Sequence, residues 1–269
     1  MQKPIGNSPA TTPGSSSSTS TRQFRRFGPL VEPGYQYTET GAVEWKGVPY
    51  GPTARLMLLY MQTEALRTRS PEVRLGRCMS DFLASVGIAK SGRAYQAVRE
   101  QCTRLSACRL TVRCENASGS SGFKRANIVG GLVFSPPGDN RQGRLWEETA
   151  TLSLEFYNAL VSHPVPVSLA AMKSLAGNSS AMDVYVWLSY RLRSLSKLLL
   201  ISWDELQPQF GFAYSSTKKF RERFLDTLKT ALAVYDGACV EAGRSGLTLY
   251  PSPPPIAERP PALPRPQSA

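Results

Sequence analysis

The chain has 269 residues, with 32 Lys and Arg against 20 Asp and Glu for a formal charge of +12, and 41% of its residues are apolar. That length and apolar content suffice for one large domain or two of about 100 residues each, and the positive balance points to a polyanionic partner. A single histidine, His163, argues against histidine-based metal centres and against histidine as a general base.

Residues 8–22 carry ten Ser or Thr in fifteen positions and lead into the basic cluster Arg22, Arg25 and Arg26, a composition that predicts a disordered arm over residues 1–28. The first residues lack the apolar run of a signal peptide. The longest apolar run, LMLLYM at 56–61, is far short of the ~20 residues of a membrane span, so a cytoplasmic protein without membrane contact is expected.

From 52 to 66, PTARLMLLYMQTEAL places Leu56, Leu59, Tyr60 and Ala65 or Leu66 at helical spacing, and Ser70-Pro71 breaks the helix before the extended EVRLG. MSDFLASV (79–86) predicts a short helix ended by Gly87. After Ser91-Gly92, the stretch RAYQAVREQCTRLSA sets Ala94, Tyr95, Val98, Cys102 and Leu105 on one helical face and Arg93, Gln96, Glu100 and Arg104 on the other. CRLTVRC (108–114) alternates as a half-buried strand, and beyond the ENASGSSG loop FKRANIVGGLVF predicts the return strand of a hairpin, a wing.

A second copy of this order follows HPVPV (163–167). Ser180 with Asp183 predicts the N-cap and first-turn acid of AMDVYVWLSYRLRSL, whose buried stripe is Met182, Tyr185, Leu188 or Ser189, Leu192 and Leu195. Ser202 and Glu205 form a capping box for WDELQ, which Pro208 is expected to stop. The next helix, SSTKKFRERFLDTLKTALAVY, has Phe220, Phe224, Leu228, Ala231 and Tyr235 as its core face. VEAGRSGLTLY (240–250) then reads as a hairpin with Arg244 at its tip. Eight prolines among residues 251–269 predict a disordered tail. The fold expected is α+β: two tandem winged-helix domains over 50–165 and 166–250, with disordered N- and C-terminal tails.

Cys78, Cys102, Cys108, Cys114 and Cys239 contain no CxxC pair, so neither a disulfide framework nor a zinc site is expected, nor any other cofactor. The chemistry sits instead on the two basic helices. Residues 88–113 carry Lys90, Arg93, Arg99, Arg104, Arg109 and Arg113 against Glu100. Residues 215–230 carry Lys218, Lys219, Arg221, Arg223 and Lys229 against Glu222 and Asp226, with the positive charge crowded into the first half. A helix-turn-helix lays the start of its second helix in the major groove, where such side chains meet base edges and phosphates. The candidate DNA-binding residues are therefore Lys90, Ser91, Arg93, Gln96, Arg99 and Arg104 on the first basic helix, with Lys124 and Arg125 on its hairpin. The second half contributes Ser215, Ser216, Lys218, Lys219, Arg221, Arg223 and Arg244. By helical-wheel angle Arg99 and Arg221 lie near the edges of their apolar faces, where their stems can pack.

LGRCMSDFLASVGI, GRAYQAVREQCTRLSACRLT, AMDVYVWLSYRLRSL, ISWDELQPQFG, KKFRERFLDTLKTALAVY and GLTLYPSPPP, in this order across about residues 52–255, resemble the RepA-type plasmid replication initiators. The chain departs from that pattern in a Ser/Gly insert at 115–122 and in Tyr235-Asp236, where a proline is expected after the tyrosine. The resemblance implies a protein that binds repeated double-stranded DNA sites at an origin through tandem winged helices. It also implies duplex opening, recruitment of host replication helicase and initiator proteins, and a homodimer that represses its own promoter.

Enzymatic readings are weaker. A rolling-circle nickase typically needs a metal-binding histidine pair beside a nucleophilic tyrosine, and His163 stands alone in SHPVPV. GIAKSG (87–92) has a Lys-Ser pair but lacks the glycine before the lysine that a phosphate cradle requires. The serious alternative is a winged-helix transcriptional regulator with no initiation role, because reading DNA and opening an origin use the same surface chemistry.

Overall fold

Apolar spacing in the sequence becomes packing in the fold. The structure is a computed structural model that describes residues 30–32, 35–37, 43–45, 47–76, 79–115, 121–133, 148–211 and 214–256. The expected arm over 1–28 lies outside the described residues. Three short strands come first: β1 (Leu30–Glu32) and the antiparallel pair β2 (Tyr35–Tyr37) and β3 (Val43–Trp45). Helix α1 (Gly51–Thr68) then buries Leu56, Met57, Leu59, Met61 and Ala65. It ends at Arg69, whose left-handed φ of 55° lets its amide donate back to the Ala65 carbonyl. EVRLG forms β4 (Glu72–Gly76), with Val73 and Leu75 facing the core. Helix α2 (Met79–Val86) stops at Gly87, whose φ of 76° favours glycine. Ser91 caps α3 (Gly92–Ala107) by accepting from the Ala94 amide at 3.1 Å.

The first hairpin differs from expectation. Strands β5 (Arg109–Glu115) and β6 (Ser121–Asn127) do pair, from Arg109↔Asn127 to Glu115↔Ser121. The predicted return strand over 123–134, however, breaks at Ile128. Residues before the break stay in a sheet of order β1-β5-β6, whereas β7 (Val129–Val133) joins β8 (Glu148–Leu152) and β4 in a second sheet of order β4-β8-β7. The break has a packing cause. Ile128 is buried, its carbonyl accepts from the Ser153 amide at 3.0 Å, and the Ser153 hydroxyl donates to the neighbouring Asn127 carbonyl. That anchorage pins the chain between the two sheets.

Ser153 also caps α4 (Leu154–Ser162), and Ser168 caps α5 (Leu169–Ser174). Helix α6 (Ser179–Arg193) starts at Asn178, whose side chain accepts from the Ala181 amide at 3.0 Å. Ser180 is thus inside the first turn rather than the cap. Asp183 is likewise no first-turn acid but the ion-pair partner of Arg55 on α1, at 2.6 Å from its Nε. Strand β9 (Leu199–Ser202), absent from the expected elements, leads into α7 (Trp203–Phe210) through the expected Ser202–Glu205 capping box. α7 runs through Pro208 instead of stopping there. Although proline removes one helical hydrogen bond, the last turn is held by Phe210, whose ring packs edge-on against Trp187 and tilted against Phe224. Helix α8 (Thr217–Leu232) follows, and the strands β10 (Val240–Ala242) and β11 (Gly246–Leu249) complete a third sheet, of order β10-β11-β9.

The elements α1-β4-α2-α3-β7-β8 and α6-β9-α7-α8-β10-β11 therefore share one order. In each sheet the strand between the first two helices pairs with the last strand of its copy. The β5–β6 ribbon is inserted in the first copy. Buried side chains of both copies belong to one cluster, joined where α1 meets α6.

Ordered chain continues past Tyr250. The Tyr235 hydroxyl donates to the Pro253 carbonyl at 2.7 Å, and the Ser252 hydroxyl accepts from the Cys239 amide at 3.0 Å. The proline-rich segment thus begins as a docked strap, while 257–269 lie outside the described residues. Burial pushes the Tyr235 phenol up to about 12 from an ordinary 10. A raised folded pKa leaves stability intact below pH 10 and lowers it between pH 10 and about 12, because only the unfolded chain ionises readily there. Urea midpoints should therefore fall across that window, and Tyr235→Phe should flatten the fall.

Candidate nucleic-acid interface

Helix α8 separates its two faces cleanly. Phe220, Phe224, Leu228 and Ala231 are buried, so the spacing of 3.6 residues per turn throws Lys218, Lys219 and Arg223 to the outside, where all three are exposed. The turn before it is fixed locally. The Gln207 side-chain amide donates to the Tyr214 carbonyl at 2.9 Å, and the Thr217 hydroxyl donates to the Gln207 side-chain oxygen at 2.7 Å. Gly211 admits the Phe220 ring at a distance no Cβ tolerates. Ser216 occupies the N-cap with no side-chain cap bond, and Ser215 beside it is exposed. Arg244 is exposed in the tight turn between β10 and β11. These cations and hydroxyls come from the helix start and one hairpin turn of the same copy.

Arg221 behaves differently from its neighbours. It is half-buried, with its guanidinium 5.3 Å from the centre of the Trp203 ring, so its stem and head cover an indole. Its wheel position near the apolar edge made this legible.

On α3, Lys90, Ser91, Arg93 and Gln96 are exposed at and just before the first turns, while Arg99 is half-buried and engaged. Arg104 is also occupied. It pairs with Glu100 at 2.8 Å, lies 4.9 Å over the Tyr50 ring, and donates to the Val48 carbonyl at 3.3 Å. The Tyr50 amide donates to the buried Gln101 side chain at 2.9 Å. The lead-in segment 48–50 is thus strapped across the C-terminal half of α3, leaving the N-terminal half as its open part. Sequence reasoning missed Tyr50. An aromatic just before a predicted helix offered no spacing signal toward a second helix about 50 residues away.

Lys124 and Arg125 sit on β6, opposite Val112 and Thr111 of β5, and therefore in the β1-β5-β6 sheet rather than in the sheet that carries β7 and β8. The hairpin equivalent to the Arg244 turn is β7–β8, whose loop lies outside the described residues.

Among the described residues, no helix is long and apolar enough to cross a membrane, and no three His, Cys, Asp or Glu side chains gather as a metal site. Cys102 and Cys108 are buried, and burial pushes the Cys108 thiol up to about 11, which leaves little thiolate at neutral pH. His163 is exposed at the end of α4.

No curated protein matches the chain. The crystal structure of RctB domains 2 and 3 (RctB-155-483) is similar over 76% of this chain and 78% of its own, with 12% identity and a TM-score of 0.47. A selenomethionine structure of domains 2 and 3 of RctB covers 86% of this chain and 94% of that one, with 13% identity and a TM-score of 0.52, a likeness of fold. The family described as plasmid encoded RepA protein matches residues 48–205, from the strap before α1 to the first turn of α7. With more than half of its length matched, the chain belongs to the family of plasmid-encoded RepA proteins, the RepA-type replication initiators.

Proposed function

We propose that this protein starts plasmid replication by binding repeated double-stranded sites at the origin through two winged-helix domains, 50–165 and 166–250, with α3 and α8 each in a major groove. The observation that carries this reading is α8: an aromatic face locks the helix into the fold, and the opposite face presents Lys218, Lys219 and Arg223 beside the Arg244 turn. Lys90, Ser91, Arg93 and Gln96 play the corresponding part on α3. Ser215 and Ser216 reach phosphates at the start of α8, and Lys124, Arg125 and Arg99 add positive charge around the first helix. Arg104 and Arg221 act mainly by shaping their helices, through Tyr50 and Trp203.

The protein works without catalysis or cofactor of its own. It marks and opens the origin, and host helicase and initiator proteins supply the enzymatic steps. It works in the cytoplasm, where a homodimer represses its own promoter. Footprinting on the parent replicon tests the core of this reading. Protection of directly repeated sites beside an A·T-rich stretch supports an initiator, and protection of a lone inverted repeat supports a regulator.

Salt gives an independent check. If two basic helices and their hairpins contact roughly 6–9 phosphates, log K falls against log salt with a slope of about −5 to −8. Titration by fluorescence anisotropy measures it. A slope shallower than about −2 would be incompatible with this surface.

A further inference from the structure

One buried indole touches both parts of the α8 surface. Trp203 opens α7 directly after β9 and is 5% exposed. Its ring Nε1–H donates to two carbonyls of the β10–β11 turn, Gly243 at 3.3 Å and Arg244 at 3.2 Å. Its backbone amide donates to a third, Ser245, at 3.2 Å. The same ring meets Phe220 and Phe224 of α8 edge-on, with centroids 6.5 and 6.2 Å apart, and the Arg221 guanidinium lies over it. The indole N–H therefore holds the turn that carries Arg244, while the ring packs against the helix that carries Lys219 and Arg223.

The physical need for such a link is plain. The turn is exposed over 243–245 and joins a three-residue strand to a four-residue one. The Gly243 amide closes the turn on the Gly246 carbonyl at 2.8 Å, and the Trp203 backbone amide holds Ser245; the indole alone reaches the outward carbonyls of Gly243 and Arg244, which water would otherwise satisfy, and so limits the azimuth of Arg244. A buried Trp N–H needs an acceptor, and here the acceptors it finds belong to the element that must be aimed.

We propose that Trp203 is a positioning residue for DNA binding: it sets the Arg244 turn relative to the basic face of α8 so that both engage one duplex together. Arg221 is part of this device, since its cation stacks on the indole. This inference rests on the DNA-binding reading above and adds to it which residue couples helix and hairpin.

The test uses the full chain and a fluorescent duplex carrying one origin repeat of the parent plasmid. Arg244→Ala is expected to weaken binding by the wild type roughly 10-fold or more, the worth of one charge-assisted contact. In a Trp203→Phe background the same change should cost less than about 2-fold, because the two indole bonds that orient the Gly243 and Arg244 peptides are already gone. A second readout needs no DNA. Amide hydrogen exchange across residues 240–249 of the free protein should quicken about tenfold in Trp203→Phe, while exchange in α1 and α3 stays unchanged. Should Trp203→Phe fold poorly, site-specific benzothienylalanine at 203 keeps the ring shape and removes only the N–H, and the same two results are expected.

Two outcomes overturn the proposal while leaving the DNA-binding reading intact. One is a full Arg244→Ala penalty in the Trp203 variants, and the other is unchanged exchange in the turn. A wild type that binds the repeat no better than a scrambled duplex overturns the DNA-binding reading itself, and the proposed role of Trp203 with it, whatever the exchange data show.

Discussion

Replacing Lys219 and Arg223 together with alanine is expected to remove footprint protection from one half of each binding site and leave the other half protected. Both side chains are exposed on α8, one turn apart, on the side opposite Phe220 and Phe224. Each base-reading contact is worth about 1–3 kcal/mol, so losing two weakens the complex by roughly 30-fold or more. Neither residue contributes to the core, and the thermal transition should move by no more than about 0.5 kcal/mol of stability. Lys90, just before α3, and Arg93 in its first turn offer the mirror experiment, and alanine at both should erase the other half. Two reading helices in one chain, about 34–36 Å apart along one face of the duplex, call for a site of roughly two turns with unlike halves. Equal weakening of both halves by either double mutant, or a footprint symmetric about its centre, would favour a single-domain dimeric repressor instead.

Gly246→Ala is expected to destabilise the second copy of the fold strongly for a change of one methyl group. A Cβ at Gly246 would sit 1.9 Å from the Ile201 carbonyl oxygen and 2.7 Å from the Ser202 Cα, both backbone atoms of the neighbouring β9. No side chain can move aside to admit it, so β9 and β11 must separate along the register that runs from Gly246↔Ser202 to Leu249↔Leu199. Forcing extra volume into such a contact costs about 3 kcal/mol. Leu247 and Leu249, fully buried, would be levered out of the core along with the strand. Chemical denaturation measures the loss. A change below about 1 kcal/mol would mean that β9 and β11 part at little cost to admit the methyl group. Gly130 serves as the tolerant control, since a Cβ there would meet its nearest neighbour, the Thr151 carbonyl oxygen, at an ordinary 3.6 Å.

Several elements were written in local spacing. The apolar positions of α1, α3 and α8, the Ser202–Glu205 capping box, the Gly87 stop and the Arg244 hairpin all depend on residues within a few positions of one another, and the structure has each of them. The basic faces of α3 and α8 were legible for the same reason, since helical periodicity alone opposes Lys219 and Arg223 to Phe220 and Phe224. The caps of α4 and α5, Ser153 and Ser168, are local signals of the same kind, each a serine directly before its helix.

What tertiary structure decided is partnership between distant segments. FKRANIVGGLVF reads as one continuous strand, because nothing local reveals that Ile128 is buried and that Ser153 seizes the backbone at Asn127 and Ile128. Strand pairing is chosen by which hydrophobic face can be covered, and β7 is covered only once β8, arriving from residue 148, lies beside it. In the same way Asp183 could serve a helix start or an ion pair, and the approach of α1 with Arg55 made it the second. Arg104 looks like a free cation in the sequence, yet Tyr50, 54 positions away, draws it onto an aromatic face; for Arg221 the wheel angle indicates packing, but only the fold supplies Trp203, 18 positions away, as the ring it covers. Composition and periodicity thus determined that this chain is a basic protein built from a repeated helix, helix and hairpin order. Long-range packing decided which of its positive charges remain open at the surface, because an aromatic ring or carboxylate supplied from elsewhere in the chain competes with water for each one.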